Sequence, residues 1–169
     1  ALKKSDNLCA EALFRHLGLK NGKTESHLGF EESQQVVNRF MRNAIGFSPD
    51  NYKIVDGSGV SMYNYVSPEL VLAYLNYAYR HSEFFDMFYD GLPIAGMDGT
   101  LRYRMGRGST FRNVHAKTGT VTGVCSLAGY VTAKNGHLLS FVIINQNVLK
   151  SRLARKFQDE VCELLSEFD

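Results

Sequence analysis

The sequence predicts an α+β fold in which an antiparallel sheet is flanked by helices. Its first half is dominated by apolar residues at helical spacing, and its second half contains two β-branched runs joined by an Asn-Gly turn. The final segment, residues 149–168, returns to helical spacing. With 169 residues, 44% of them hydrophobic and 21% charged, the composition is that of an ordinary globular domain or a large part of one.

Two helices are predicted in the first 45 residues. Ser5-Asp6-Asn7 precedes an apolar helical pattern over residues 8–17, and Gly18 follows as a natural stop. A polar, glycine-containing stretch, residues 20–29, then leads to a second pattern over residues 31–45, which ends at a glycine. We therefore expect a pair of helices joined by a polar connection.

The middle of the chain alternates short elements with turns. Residues 52–55 look like a short strand, and Ser67 with Pro68 has the cap and first-position pattern of a helix that continues to about residue 79. A further short helix is predicted over residues 84–89. The glycine-rich segment 91–112 favours a long irregular connection, and such connections tend to carry function.

The sheet is predicted from residue 115 onward. Residues 115–120 have the pattern of an edge strand, and runs 123–132 and 137–145 are rich in β-branched and apolar residues. The turn Ala133-Lys134-Asn135-Gly136 between those runs is the strongest short-range hairpin signal. The amphipathic helix over residues 149–168 can cover one face of this sheet.

Charge and composition argue against several classes of protein. The formal net charge is +2 with its cations spread along the chain, so no nucleic-acid or polybasic membrane surface is predicted. No run approaches the roughly 18 apolar residues of a transmembrane segment. The three cysteines, Cys9, Cys125 and Cys162, lie far apart and are interpreted as core thiols, so we predict neither a metal nor a cofactor.

The tripeptide Lys117-Thr118-Gly119 carries readable chemistry. A lysine on an open strand presents a cation to a ligand carboxylate, and the threonine adds a hydroxyl donor. The glycine leaves room for a ligand backbone to lie alongside as an extra strand. Taken alone, the tripeptide is better explained as an exposed turn.

Ser5-Asp6-Asn7, taken alone, is what a helix N-cap looks like. The combination is more informative, because S-x-x-K with S-D-N and K-T-G is the signature set of class A β-lactamases and penicillin-binding proteins. Two members of this set occur here in the expected order, roughly a hundred residues apart.

Three longer segments make the resemblance more specific: residues 56–61 (DGSGVS), 92–101 (LPIAGMDGTL) and 115–130 (HAKTGTVTGVCSLAGY). Together they resemble the class C low-molecular-mass penicillin-binding proteins, the D-alanyl-D-alanine carboxypeptidase/endopeptidase family. The resemblance implies that residues 1–169 are the C-terminal part of a catalytic domain with the penicillin-recognising, β-lactamase/transpeptidase-like fold.

The third motif of that signature is absent, since none of the serines is followed by a lysine three positions later. The family carries S-x-x-K upstream of Ser-Asp-Asn, and the chain begins Ala1-Leu2-Lys3-Lys4, without an initiator methionine or a signal segment. We therefore expect a missing N-terminal part that supplies the acylated serine, so that this chain alone is inactive.

The resemblance also implies roles for individual residues. Ser5 would pass a proton to the leaving amine, and Asn7 would hold the S-x-x-K lysine or the substrate amide. Lys117 and Thr118 would bind the terminal carboxylate, Gly119 would leave room for the ligand backbone, and the Thr120 N–H would be an oxyanion donor. Structural roles are expected instead for three further residues: Asp56 and Asp98 in turns, and His115 in packing.

The implied activity is that of a serine-type D-Ala-D-Ala carboxypeptidase, with endopeptidase action on cross-links as an added expectation. Its partners would be peptidoglycan stem peptides and β-lactam antibiotics, and its location the bacterial periplasm. Two alternatives stay open. The missing S-x-x-K is compatible with a non-catalytic peptidoglycan-binding or regulatory relative, and the two short motifs are compatible with a serine β-lactamase.

Overall fold

The computed structural model describes residues 1–19 and 30–169, so the predicted polar connection over residues 20–29 lies outside the described residues. The chain divides into two compact units. One contains Ala1 and Asp6–Leu70, and the other contains Leu2–Ser5 and Val71–Asp169.

The first helix of the Asp6–Leu70 unit, α1, spans Asn7–Leu19. Asp6 caps it, because its Oδ1 accepts a hydrogen bond from the Cys9 backbone N–H at 2.9 Å. The prediction that Gly18 stops the helix was wrong: Gly18 is buried inside α1. A Cβ at this position would lie 3.0 Å from Ser33 Oγ, so the glycine serves close helix packing.

The second helix, α2, spans Phe30–Phe40 and continues as a π-helical turn, Met41–Ile45. Gly46 ends it in the left-handed conformation, with φ of +83°. The predicted strand over residues 52–55 was wrong, since only a single bridge joins Lys53 to Tyr65. Close to that bridge, the side-chain amide oxygen of Asn64 accepts a hydrogen bond from the Val55 N–H at 2.8 Å. This side chain occupies the position of a neighbouring strand's carbonyl.

The remaining elements agree with their predicted positions. Ser67 Oγ accepts the Leu70 N–H at 3.2 Å at the start of helix α3. The segment between residues 91 and 115 is irregular apart from short 3₁₀ turns. The bounds of the elements are α3 Pro68–Arg80, α4 Ser82–Gly91, β1 His115–Val121, β2 Val124–Thr132, β3 Leu138–Asn145 and α5 Ser151–Ser166.

The three strands form an antiparallel sheet in the order β1-β2-β3. Because side chains alternate along a strand, the sheet has two apolar faces. One face packs Ala116, Leu127 and Phe141 together with Cys162 of α5. The other face centres on Tyr130, packed among aromatic residues of α4, with its hydroxyl donating to the Leu75 carbonyl at 2.7 Å. Lys117 lies on this second face, since it pairs with Ala128 in the register.

A polar network ties the irregular segment to α5 and to the sheet. Arg104 Nη2 lies 2.6 Å from Asp159 Oδ1 and 3.1 Å from Gln158 Oε1. The fully buried Gln158 in turn donates to the Cys125 carbonyl at 3.2 Å and to Asn145 Oδ1 at 2.9 Å. With its buried polar atoms paired in this way, the network holds the irregular segment against the sheet.

We expect Gly129→Ala to lower the free energy of unfolding by about 1–3 kcal/mol, because the added methyl overpacks the β1–β2 contact. A Cβ at Gly129 would strike the His115 carbonyl and lie 2.7 Å from Ala116 Cβ. Gly106→Ala is the matched control, since a Cβ there meets nothing within 4 Å. Equal urea denaturation midpoints for the two variants would contradict this packing argument.

Candidate active site

The candidate site lies along the outer edge of β1. Near the start of the strand, Ala116 donates its N–H to the Pro93 carbonyl at 3.0 Å. Backbone groups alternate in direction along a strand, so the N–H groups of Thr118 and Thr120 point to the same outer side. Among the described residues, β1 pairs with a strand only on its β2 side, and on its outer side a single bridge joins His115 to Ile94. The outer edge of Thr118 and Thr120 can therefore accept an extended ligand.

Lys117 provides the cation at this edge. Its Nζ donates to Ser5 Oγ at 2.7 Å and to the Thr118 carbonyl at 2.5 Å. Neither partner is charged, and burial lowers the pKa of Lys117 below its ordinary value of 10.5. A partly buried ammonium held by uncharged groups is suited to pair with an incoming carboxylate.

Ser5 reaches Lys117 through a tight turn. Its backbone has φ of +53°, in the left-handed region that non-glycine residues seldom adopt, and its N–H bonds the Leu2 carbonyl at 3.2 Å. The turn is anchored by Lys3, whose Nζ lies 2.7 Å from Asp98 Oδ2. Gly99 fits beneath it, because a Cβ there would lie 2.5 Å from the Lys3 carbonyl. These contacts fix Ser5 over the strand.

Gly119 and Thr118 complete the edge. A side chain on Gly119 would collide with Ser126 Oγ of the neighbouring strand β2. The glycine therefore leaves the surface of β1 open at this position. Thr118 lies on the opposite side of the strand from Lys117, and its Oγ1 donates to Thr100 Oγ1 at 2.9 Å. The predicted residues Ser5, Lys117, Thr118 and Gly119 are thus brought together, whereas Asn7 is the exposed first residue of α1 in the other unit.

Asp98, for which a turn role was expected, accepts the Ile94 N–H at 2.9 Å as well as the Lys3 ammonium. Desolvation tends to raise the pKa of Asp98, but the hydrogen bonds from Lys3 and the Ile94 N–H outweigh it, and the pKa falls below its ordinary value. Asp98 therefore contributes to stability above pH 3.8, and this contribution is lost as the pH falls through its lowered pKa.

Asp56 and His115 were also expected to be structural. The Asp56 carboxylate accepts the N–H groups of Gly59 and Ser61, each at 2.7 Å, so it closes a turn. His115 is buried and stacks on Tyr89, with ring centroids 4.0 Å apart. Its Nδ1 lies 3.3 Å from the Tyr89 carbonyl, and burial lowers the pKa of the imidazole. Both side chains thus have packing or turn partners.

Sequence reasoning did not identify Lys3 and Thr100 as parts of the site. Lys3 lies 95 residues from Asp98 and Thr100 lies 18 residues from Thr118. Thr100 belongs to the segment 92–101 that carries the family resemblance, but nothing in the sequence indicates that it contacts Thr118. Across residues 1–19 and 30–169, no cluster of three or more His, Cys, Asp or Glu side chains could hold a metal ion. In the same part of the chain, no helix combines the length and apolarity needed to cross a membrane.

Two comparisons concern the sequence. The family model of the D-Ala-D-Ala carboxypeptidase 3 (S13) family matches residues 1–168. The D-alanyl-D-alanine carboxypeptidase DacB of Haemophilus influenzae is 35% identical over 143 residues, which is 83% of this chain and 29% of that relative. The chain thus spans less than a third of the length of this relative.

Solved structures agree with the sequence comparisons. Penicillin binding protein 4 (dacB) from Haemophilus influenzae matches 99% of this chain and 38% of its own, with 31% identity and a TM-score of 0.87. The same protein complexed with a β-lactam gives a TM-score of 0.85. The TLA-3 extended-spectrum β-lactamase, 18% identical, matches 98% of this chain and 60% of its own with a TM-score of 0.66, which shows the fold alone. The expected α+β, penicillin-recognising fold is confirmed.

Proposed function

Because the chain belongs to the D-Ala-D-Ala carboxypeptidase 3 (S13) family, we propose that it forms one wall of the active site of a serine-type D-Ala-D-Ala carboxypeptidase. The substrate is a peptidoglycan stem peptide that ends in D-Ala-D-Ala. The serine of an S-x-x-K motif outside these 169 residues attacks the carbonyl between the two D-alanines, and the resulting acyl-enzyme is hydrolysed by water. Cross-linked peptides are a second substrate, which gives endopeptidase activity.

Lys117 and Thr118 bind the terminal carboxylate of the substrate. The Lys117 ammonium supplies a charge-assisted hydrogen bond and the Thr118 hydroxyl supplies a neutral one. Gly119 lets the peptide backbone lie against β1, and the outward Thr120 N–H is one of the two donors that stabilise the oxyanion. The outer edge of β1 at Thr118 and Thr120 supports these roles, because the backbone N–H groups of these two residues are directed away from β2.

Ser5 is the proton donor to the leaving D-alanine. When the carbon–nitrogen bond breaks, the amine takes the Ser5 hydroxyl proton, and Ser5 recovers a proton from the Lys117 ammonium that donates to its Oγ. Asn7 holds either the S-x-x-K lysine or the amide of the substrate. The observation that carries the proposal is the 2.7 Å hydrogen bond between Lys117 Nζ and Ser5 Oγ at an open strand edge. It joins two motifs that are 112 residues apart.

β-Lactams are the inhibitors that the proposal requires, since they acylate the same serine and leave an ester that hydrolyses slowly. The solved relative complexed with a β-lactam supports this choice of ligand. Because the stem peptides lie outside the inner membrane, the protein acts in the periplasm. A part of the protein outside these 169 residues, which carries the S-x-x-K motif, is the partner that completes the site.

A second candidate is a non-catalytic peptidoglycan-binding or regulatory protein. One specific observation favours it, namely that none of the serines of this sequence is followed by a lysine three residues later. A full-length sequence that places S-x-x-K before Ser5 would remove this alternative.

The proposal is tested by incubating the full-length protein with a pentapeptide ending in D-Ala-D-Ala and measuring released D-alanine. We expect one D-alanine per peptide and inhibition by benzylpenicillin. The same peptide ending in D-Ala-L-Ala is the control and should be resistant. If peptide binds without release of D-alanine, the binding-protein alternative replaces the carboxypeptidase.

A further inference from the structure

Thr100 lies beside the carboxylate-binding edge but has no role in the proposed mechanism. Its Oγ1 accepts a hydrogen bond from the Thr118 hydroxyl, with the two Oγ1 atoms 2.9 Å apart. Thr100 is exposed to solvent and Thr118 is half-buried, so the pair lies at the surface that a ligand carboxylate would approach.

The backbone that carries Thr100 is fixed on both sides. On one side, Asp98 is held by the Lys3 ammonium at 2.7 Å and the Ile94 N–H at 2.9 Å. On the other side, Leu101 is fully buried in the core. Gly99, between Asp98 and Thr100, has φ of +54°, and a Cβ there would crowd the Lys3 carbonyl. The Thr100 hydroxyl is thus presented from a rigid turn, as a preorganised site requires.

A hydroxyl group has a single proton to donate and lone pairs that accept. In the structure the Thr118 hydroxyl donates its hydrogen bond to Thr100. While it does so, the same proton cannot form a hydrogen bond to a carboxylate. When Thr118 turns its proton toward a carboxylate, its lone pairs become available to Thr100, which can then donate in return. Hydrogen bonds arranged in such a chain strengthen one another.

We propose that Thr100 is a positioning residue of the carboxylate-binding edge, acting through Thr118. Thr100 accepts a hydrogen bond from Thr118 in the structure. When Thr118 donates to the carboxylate of a ligand, the direction reverses and Thr100 donates a hydrogen bond to Thr118. This inference rests on the proposed function, since it assigns the carboxylate to Lys117 and Thr118. It predicts that substitution of Thr100 slows acylation by ligands with a free carboxylate and leaves acylation by ligands without one unchanged.

The test compares acylation of the full-length protein by benzylpenicillin and by its methyl ester, which lacks the free carboxylate. We expect Thr100→Val to slow acylation by benzylpenicillin by about five-fold, the typical effect of one neutral hydrogen bond. Acylation by the ester should stay about the same as in the unsubstituted protein. Thr100→Ser, which keeps the hydroxyl, should restore the rate with benzylpenicillin.

Other outcomes would overturn the inference. If Thr100→Val slows both ligands equally, Thr100 has a general structural role. If neither ligand responds while Thr118→Val slows benzylpenicillin, Thr118 binds the carboxylate without help from Thr100. If the unsubstituted protein is not acylated at all, the proposed function fails and this inference fails with it, so the two failures are distinguishable.

Discussion

Replacing Lys117 with methionine is expected to lower kcat/KM for a peptide ending in D-Ala-D-Ala by about 10²–10³-fold, because the terminal carboxylate then lacks its cation. Methionine is chosen because it retains most of the length of the side chain. Lys117→Arg should recover only part of the loss, since a planar guanidinium does not occupy the position of an ammonium held by Ser5 Oγ and the Thr118 carbonyl. The measurement is steady-state release of D-alanine by the full-length protein.

The same variant should also differ from the unsubstituted protein in how its stability depends on pH. Burial lowers the pKa of Lys117 below 10.5, so the charged lysine costs stability at neutral pH. This cost disappears as the pH rises from the folded-state pKa to 10.5, where both states lose the proton. Urea denaturation at increasing pH should therefore show the unsubstituted protein gaining stability relative to the methionine variant as the pH rises toward 10.5. A stability difference between the two proteins that is independent of pH would contradict this expectation.

Replacing Ser5 with alanine is expected to lower kcat for peptide hydrolysis by about 10²–10⁴-fold, the usual contribution of a positioned proton donor. Comparing Ser5→Ala with Ser5→Gly separates the effect of losing the hydroxyl from the effect of the strained backbone. Ser5→Gly also removes the hydroxyl, but glycine adopts the φ of +53° at this position without strain. We expect both variants to be equally slow and the glycine variant to be the more stable by about 1 kcal/mol.

A Ser5→Ala variant whose kcat stays within about two-fold of that of the unsubstituted protein would contradict the proton-donor role. Such a loss is far smaller than the usual contribution of general acid catalysis. A glycine variant that is active while the alanine variant is slow would instead assign the effect to the strained backbone. Both variants are measured with the same pentapeptide as the Lys117 series.

The sequence was sufficient for the elements that depend on local patterns. Helical spacing predicted α1, α2 and α5, and the Asn135-Gly136 turn predicted the β2–β3 hairpin, because each signal lies within a few residues of the element it specifies. The predictions failed where distant residues decide the outcome. Gly18 is a packing position rather than a helix stop because Ser33 lies against it. Residues 52–55 form no strand, and the Val55 N–H bonds the Asn64 side chain instead.

The candidate site follows the same division. Motif resemblance identified Ser5 and Lys117 as functional residues, but neither spacing nor composition predicts that their side chains hydrogen-bond to each other. Lys3 and Thr100 lie outside the short motifs, and their contacts with Asp98 and Thr118 arise only from the folding of the irregular segment onto the sheet. Their contributions could be found only in three dimensions. The family resemblance itself is confirmed by the match over residues 1–168.

The most direct test of the account is covalent labelling by a fluorescent penicillin, applied to the full-length protein and to this 169-residue chain and read by intact mass and peptide mapping. The account predicts that the full-length protein gains one penicilloyl group, on a serine of an S-x-x-K motif outside these residues, and that the 169-residue chain gains none. Absence of label on the full-length protein, or a label on a serine within this chain, would contradict the proposal.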